Sequence, residues 1–243
     1  MKKLLFPPVA WLLVFLVIPT AIVAAQAFSF EGLRQFNPDT FRLLAKSLWI
    51  ALEVTVACLA VGYPVAMFIA GCGPGWRNFL LFLIVLPFWT SVIVRTFAQI
   101  SLLRPLGWYL TMPGVIVGLA HGYLPFMILP LYVSLEKVPR RLLEAAEDLG
   151  ASPWRAFLSV TVPLTTPGIA AGCILVFIPV LGSFATPELL GGRQATMYGS
   201  LINLQFTTGQ NPAAGSALTL VLTALTLALT GLYYRLSKTE GLV

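Results

Sequence analysis

Few residues in this chain could do covalent chemistry. His121 is the only histidine, and the three cysteines, Cys58, Cys72 and Cys173, have no close pairing. No Cys/His cluster has metal-ligand spacing, and no Gly-rich loop ends in Lys-Ser or Lys-Thr. The sequence therefore offers no metal centre and no P-loop of its own. One imidazole also leaves no nucleophile–base constellation, which argues against an enzyme. What remains is charge in unusual places. Glu53 and Arg95 sit inside apolar stretches, and Glu144, Glu147 and Asp148 crowd the long polar interval Glu144–Pro163, EAAEDLGASPWRAFLSVTVP. Such charges suit holding a partner or guiding a solute.

The elements that position them follow from composition. Of 243 residues, 58% are hydrophobic and 10% charged, and mean hydropathy is +0.89. Soluble domains carry about 25% charged residues, so the class is an all-α integral membrane protein. The cysteines then read as small buried hydrophobes. A net charge of +6 points to basic cytoplasmic loops on a lipid membrane, with no nucleic-acid partner.

A helix needs about 20 apolar residues to cross the hydrocarbon core. Six stretches meet this: Val9–Phe28, Ser47–Ala70, Phe79–Ile100, Val115–Leu135, Thr166–Phe184 and Ala213–Tyr234. The first has a rival reading, since Lys2-Lys3, the apolar stretch and Ala25-Gln26-Ala27 mimic a cleaved signal peptide. The polar segment Glu31–Lys46 holds Asn37-Pro38-Asp39, a turn signal, and Gly71-Cys72-Gly73-Pro74-Gly75 is a tight turn. A polar connection carrying Glu188, Arg193 and Gly209-Gln210-Asn211-Pro212 precedes the sixth span. Six spans put both termini on one side. With the termini inside, the inner set is Lys2, Lys3, Arg77, Lys137, Arg140, Arg141, Arg155, Arg235 and Lys238, nine against five outside (Arg34, Arg42, Lys46, Arg104 and Arg193). That bias predicts cytoplasmic termini and a cytoplasmic Glu144–Pro163. The chain reads as one transmembrane domain, 1–243, with this loop at about 136–163.

Pro87, Pro125, Pro130 and Pro179 fall inside spans, where each frees a carbonyl. Neighbours or cavity water must satisfy these groups; ordinary packing is the alternative. In the loop, Pro139 can open a helix whose Leu142, Ala145, Ala146 and Leu149 share an apolar face. Gly150 ends it with a left-handed residue, and Ser152-Pro153 caps a second helix bearing Trp154, Phe157, Leu158 and Thr161. Arg140 and Arg141 at the N-terminus and Glu147 and Asp148 at the C-terminus oppose the helix dipole, at a few tenths of a kcal/mol each. Arg140 faces Glu144 and offsets part of this. Charges placed against local stability answer to something else: lipid for the arginines and a protein partner for the acids, or else a solvated helix on the membrane surface.

The loop resembles the EAA motif of ABC importer permease subunits: Glu-Ala-Ala, three residues, Gly, nine residues, two spaced aliphatics and Pro. Here these are Glu144-Ala145-Ala146, Gly150, Val160, Val162 and Pro163, with Val for the usual Ile and Leu. Pro87-Phe88-Trp89-Thr90-Ser91 with Val94-Arg95-Thr96, Tyr123-Leu124-Pro125-Phe126-Met127 and Pro187-Glu188-Leu189-Leu190-Gly191-Gly192 look like the spermidine/putrescine branch. Two departures from that branch are a short outer connection at Ser101–Gly114 and Ser183 where a carboxylate is common.

The resemblance implies a six-transmembrane-helix type I importer permease fold. It implies a second permease subunit, identical or related, an external substrate-binding protein, and separate ATPase subunits that alone bind ATP and Mg. Glu144, Ala145, Ala146, Asp148, Gly150 and Pro163 would couple to the ATPase. A polycation's path needs carboxylates, aromatics or carbonyls. Candidates are Glu53, Trp89, Arg95, Tyr123 and Glu188, with Tyr63 also in view. Glu53 and Arg95 lie at similar depth on consecutive antiparallel helices, so an ion pair between them competes with a place for Glu53 in the path. His121 reads as hydrogen-bonded among helices, not as a proton relay. An ion-driven secondary transporter, the competing class, would carry ionisable groups at midplane.

Overall fold

The computed structural model describes residues 2–29, 32, 34 and 37–240, with side chains for 11–29, 32, 34 and 37–235. Glu31 and the side chains of Lys2, Lys3 and Lys238, named above, lie outside these residues. Among the described residues there are helices and no strands.

Helix α1 is Lys2–Ala27. Helix α2 runs Pro38–Gly71, 34 residues, so the expected turn at Asn37-Pro38 is instead its start. Asn37 Oδ1 accepts from the Thr40 amide at 2.8 Å, and Pro38 supplies a preset first helical residue. At about 50 Å, α2 overruns the hydrocarbon core. Two residues in its first half hold the segment before the last span. Lys46 Nζ donates to the Gln194 carbonyl at 2.7 Å, and the Tyr198 amide donates to Ser47 Oγ at 2.8 Å.

The third expected span, Phe79–Ile100, is not one helix. Helix α3 (Pro74–Val85) and a 3₁₀ turn (Leu86–Trp89) are followed by α4 (Val92–Leu103) after a bend of 102°. Thr90 and Ser91 are extended at the break. The Pro87 carbonyl accepts from the Thr90 amide at 3.2 Å, Thr90 Oγ1 at 2.8 Å and Arg95 Nη1 at 3.3 Å. With acceptors satisfied this way, a helix can break at membrane depth.

Helix α5, Met112–Glu136, passes through Pro125 and Pro130 and lies at the centre of the molecule, between α2 and α8. The loop helix α6 is Arg140–Asp148. The expected short second helix is instead the start of the fifth span. Pro153–Ala156 (α7), a π turn at Phe157–Thr161 and α8 (Val162–Leu181) form one stretch of 29 residues. The Val162 amide reaches back to the Phe157 carbonyl; Pro163, with no N–H, follows directly, and the extra residue lets the helix pass it. The polar connection after it is also helical, as α9 (Ala185–Gly191), a 3₁₀ turn (Gly192–Ala195) and α10 (Tyr198–Thr207). Helix α11, Pro212–Glu240, ends the fold and carries α1 on its side. Ser216 Oγ donates to Gln26 Oε1 across that contact at 3.0 Å.

Four helices, α2, α5, α7–α8 and α11, have the length and hydropathy of spans, and the bent pair makes a fifth when its two halves are taken as one span. The remaining expected span, Val9–Phe28, corresponds to α1, whose described side chains Trp11–Ala27 form a shorter apolar helix. The core joins Val54 and Cys58 of α2, Leu119, Met127 and Leu131 of α5, and Val176 and Val180 of α8.

Candidate functional site

In the loop, α6 closes with paired backbone bonds. The Ala151 amide donates to the Ala146 carbonyl at 3.0 Å and the Gly150 amide to the Glu147 carbonyl at 2.8 Å. Gly150 has φ of +83°, so this is a Schellman cap. Ser152 Oγ accepts from the Arg155 amide at 3.4 Å and restarts the helix. Leu143 and Ala146 are half-buried, while Leu142, Ala145 and Leu149 face outward. Leu149 is 89% exposed. Glu144 and Asp148 are exposed on the same short helix, and Pro163 is exposed at the head of α8. Behind α6 lies a cavity of about 370 Å³ lined by Met67, Leu143, Glu147, Trp154 and Phe157. Trp154 and Phe157 stack at 5.4 Å.

The path candidates separate. Arg95 and Tyr123 share a cavity of about 250 Å³ with Phe88, Thr90, Phe126 and Thr186. Tyr123 Oη donates to the Pro179 carbonyl at 3.4 Å. A neighbouring cavity of about 370 Å³ also touches Arg95 and adds Gln99 and His121. His121 Nδ1 pairs with Gln99 Nε2 at 2.9 Å, the interhelical bond expected of it. No carboxylate lines either cavity.

Glu53 and Arg95 do not pair. Trp49 Nε1 donates to Glu53 Oε1 at 2.6 Å, and the break in the third span turns Arg95 onto Pro87 instead. Among the described residues the ion pairs are Arg42–Asp39 and Arg77–Glu136, so Arg140 and Glu144 form none either. Trp89 is 76% exposed and edges against Phe82. Glu188 is exposed in the first turn of α9. Tyr63 lies apart from these cavities: its hydroxyl bonds Thr165 at 2.8 Å and its ring meets Phe157, beside the loop.

Sequence reasoning missed Arg77–Glu136, whose Nη1–Oε1 distance is 2.8 Å. The available signal was opposite charge at the adjoining ends of two spans.

Over residues 59–239 the chain matches the family described as the binding-protein-dependent transport system inner membrane component. It is 38% identical over 260 residues to the spermidine/putrescine transport system permease protein PotB of Haemophilus influenzae, covering 94% of this chain and 91% of that protein. Its identity to PotB of Escherichia coli is 35% over 261 residues, covering 95% of each. Among solved structures, a bacterial ABC transporter that imports the acidic polysaccharide alginate superposes with a TM-score of 0.74 at 17% identity, covering 98% of this chain and 94% of that one. At that identity the likeness speaks for the fold.

Proposed function

We propose, from the premise that the chain belongs to the family of binding-protein-dependent transport system inner membrane components, that it is the permease subunit of an ATP-driven importer of a small polyamine of the spermidine or putrescine kind. The observation that carries the cargo is the identity of 38% and 35% to two permeases named for those amines, over nearly the full length of each.

The loop supplies the drive. Leu142, Ala145 and Leu149 present an apolar face outward from a helix whose acids Glu144 and Asp148 are also exposed. Ala145 is small, so a partner's groove can approach the backbone closely, and Gly150 fixes the angle at which the chain leaves. A cytoplasmic ATPase fits this face, and with it both termini are cytoplasmic. ATP and Mg belong to that ATPase and none to this chain, which is a non-catalytic subunit. A second permease subunit completes the path, and an external binding protein delivers the cargo. When the ATPases close, the two loops draw together and the bundles turn from inward-open to outward-open.

The test is uptake of labelled spermidine by the importer reconstituted in liposomes with its ATPase and binding protein. ATP-dependent uptake supports the reading. Uptake driven by an ion gradient without ATP would overturn it in favour of a secondary transporter.

Arg95 favours a second reading of the cargo alone. A guanidinium lining a cavity without a carboxylate repels a polycation and suits an anionic solute. Competition by an anion, with none by spermidine, would select it.

A further inference from the structure

We propose that the Arg77–Glu136 ion pair is the relay that carries movement of the coupling loop into the broken third span; this rests on the coupling-loop reading above. Glu136 is the last residue of α5, four residues before α6 begins at Arg140. Arg77 lies near the start of α3, and the two side chains meet at 2.8 Å.

Helix α3 is held lightly, with Leu80, Leu81 and Ile84 packed half-buried against the core. None of its residues is fully buried, and among the described residues Arg77 makes its one side-chain hydrogen bond. The turn that leads into it is open: a Cβ added at Gly71, Gly73 or Gly75 would meet nothing within 4 Å. Glu136, in contrast, closes the central helix α5 beside the buried Tyr132 and Leu135. One end of the pair is thus fixed to the central helix at the root of the loop, and the other grips a helix that buries no residue fully. Beyond α3 the chain bends by 102° into α4, which carries Arg95 and Gln99 to the two cavities. A shift at the loop therefore reaches the cavity walls through Arg77. The pair is partly solvated, with side chains 31% and 46% exposed, and such pairs add little to folding stability. Its consequence is positional, so Arg77 and Glu136 are positioning residues.

The test uses the whole importer, permease with ATPase, in lipid nanodiscs. Spin labels replace exposed Leu102 on α4 and exposed Val56 on α2, with Cys58, Cys72 and Cys173 changed to alanine. Distances are recorded without nucleotide and after trapping with ATP and vanadate. In the parent the α4–α2 distance shifts on trapping. Arg77→Glu or Glu136→Arg reduces that shift about five-fold or more, while the ATPase still co-purifies. The double swap restores the shift, which a general loss of structure would not allow. Arg77→Gln and Glu136→Gln provide the same comparison where a reversal prevents insertion. No shift in the parent, a full shift in both single variants, or no recovery in the swap overturns the relay. Gly150→Val is run alongside: if it leaves assembly and shift intact, the coupling-loop reading falls on its own.

Discussion

At Gly150 the backbone has φ of +83°, a region that costs an L side chain about 1–2 kcal/mol. An added Cβ there meets nothing within 4 Å, so the penalty comes from conformation and not from a clash. Gly150→Val is expected to unwind the Schellman cap, swing Leu149 and α6 out of line, and sharply lower the amount of ATPase that co-purifies. Gly150→Asn, which tolerates the left-handed region, keeps most of it. Equal retention in both variants would mean that the cap does not set the loop. This site was legible in the sequence because its causes are local: an apolar helical face, a glycine behind it and Ser-Pro after that. The partner of Arg95 was not, because it is the Pro87 carbonyl, freed by a backbone break and bearing no side-chain signature. Glu53 escaped for a simpler reason. Trp49, one turn earlier on the same helix, satisfies it, so it needs no charge from a neighbouring span.

Helices α5 and α8 approach closely because α8 carries Gly168 and Gly172, four residues apart, against α5. A Cβ on Gly168 would meet the Ser134 side chain and lie 2.8 Å from the Pro130 carbonyl oxygen; one on Gly172 would lie 2.7 Å from Met127 Sδ. In a membrane, where packing rather than water drives helix association, such small pairs set the contact. Gly168→Leu is expected to cost about 1–3 kcal/mol, read as a lower melting temperature in detergent. Gly231→Leu, on α11 with nothing within 4 Å, changes it by less than about 0.5 kcal/mol. Apolar length located the spans at this scale but not the break in the third. Prolines do not announce a break, since α2 passes Pro64, α5 passes Pro125 and Pro130, and α8 passes Pro167 and Pro179 without breaking. Pro87 differs because Thr90 and Arg95 stand ready to satisfy its carbonyl, and that is visible only once the chain has turned. The segment 185–207 was hidden for another reason: its helices of seven and ten residues are too short to read as spans.

For the molecule as a whole the open question is which side of the membrane the loop occupies, and the Arg77–Glu136 pair supplies a reporter for it. A 2.8 Å bond places the α2–α3 turn on the same side as the base of α5 and hence as α6. Cys72 lies in that turn and is partly exposed, whereas Cys58 is buried in α2 and Cys173 is half-buried in α8. A membrane-impermeant maleimide should therefore label Cys72 in inside-out vesicles and leave it unlabelled in right-side-out ones, and Cys72→Ser should remove the signal. The basic residues near this end, Arg77, Lys137, Arg140, Arg141 and Arg155, predict the same side by the positive-inside bias. Labelling from outside would turn the whole bundle over. It would carry α6 away from any cytoplasmic ATPase, and the importer reading could not survive it.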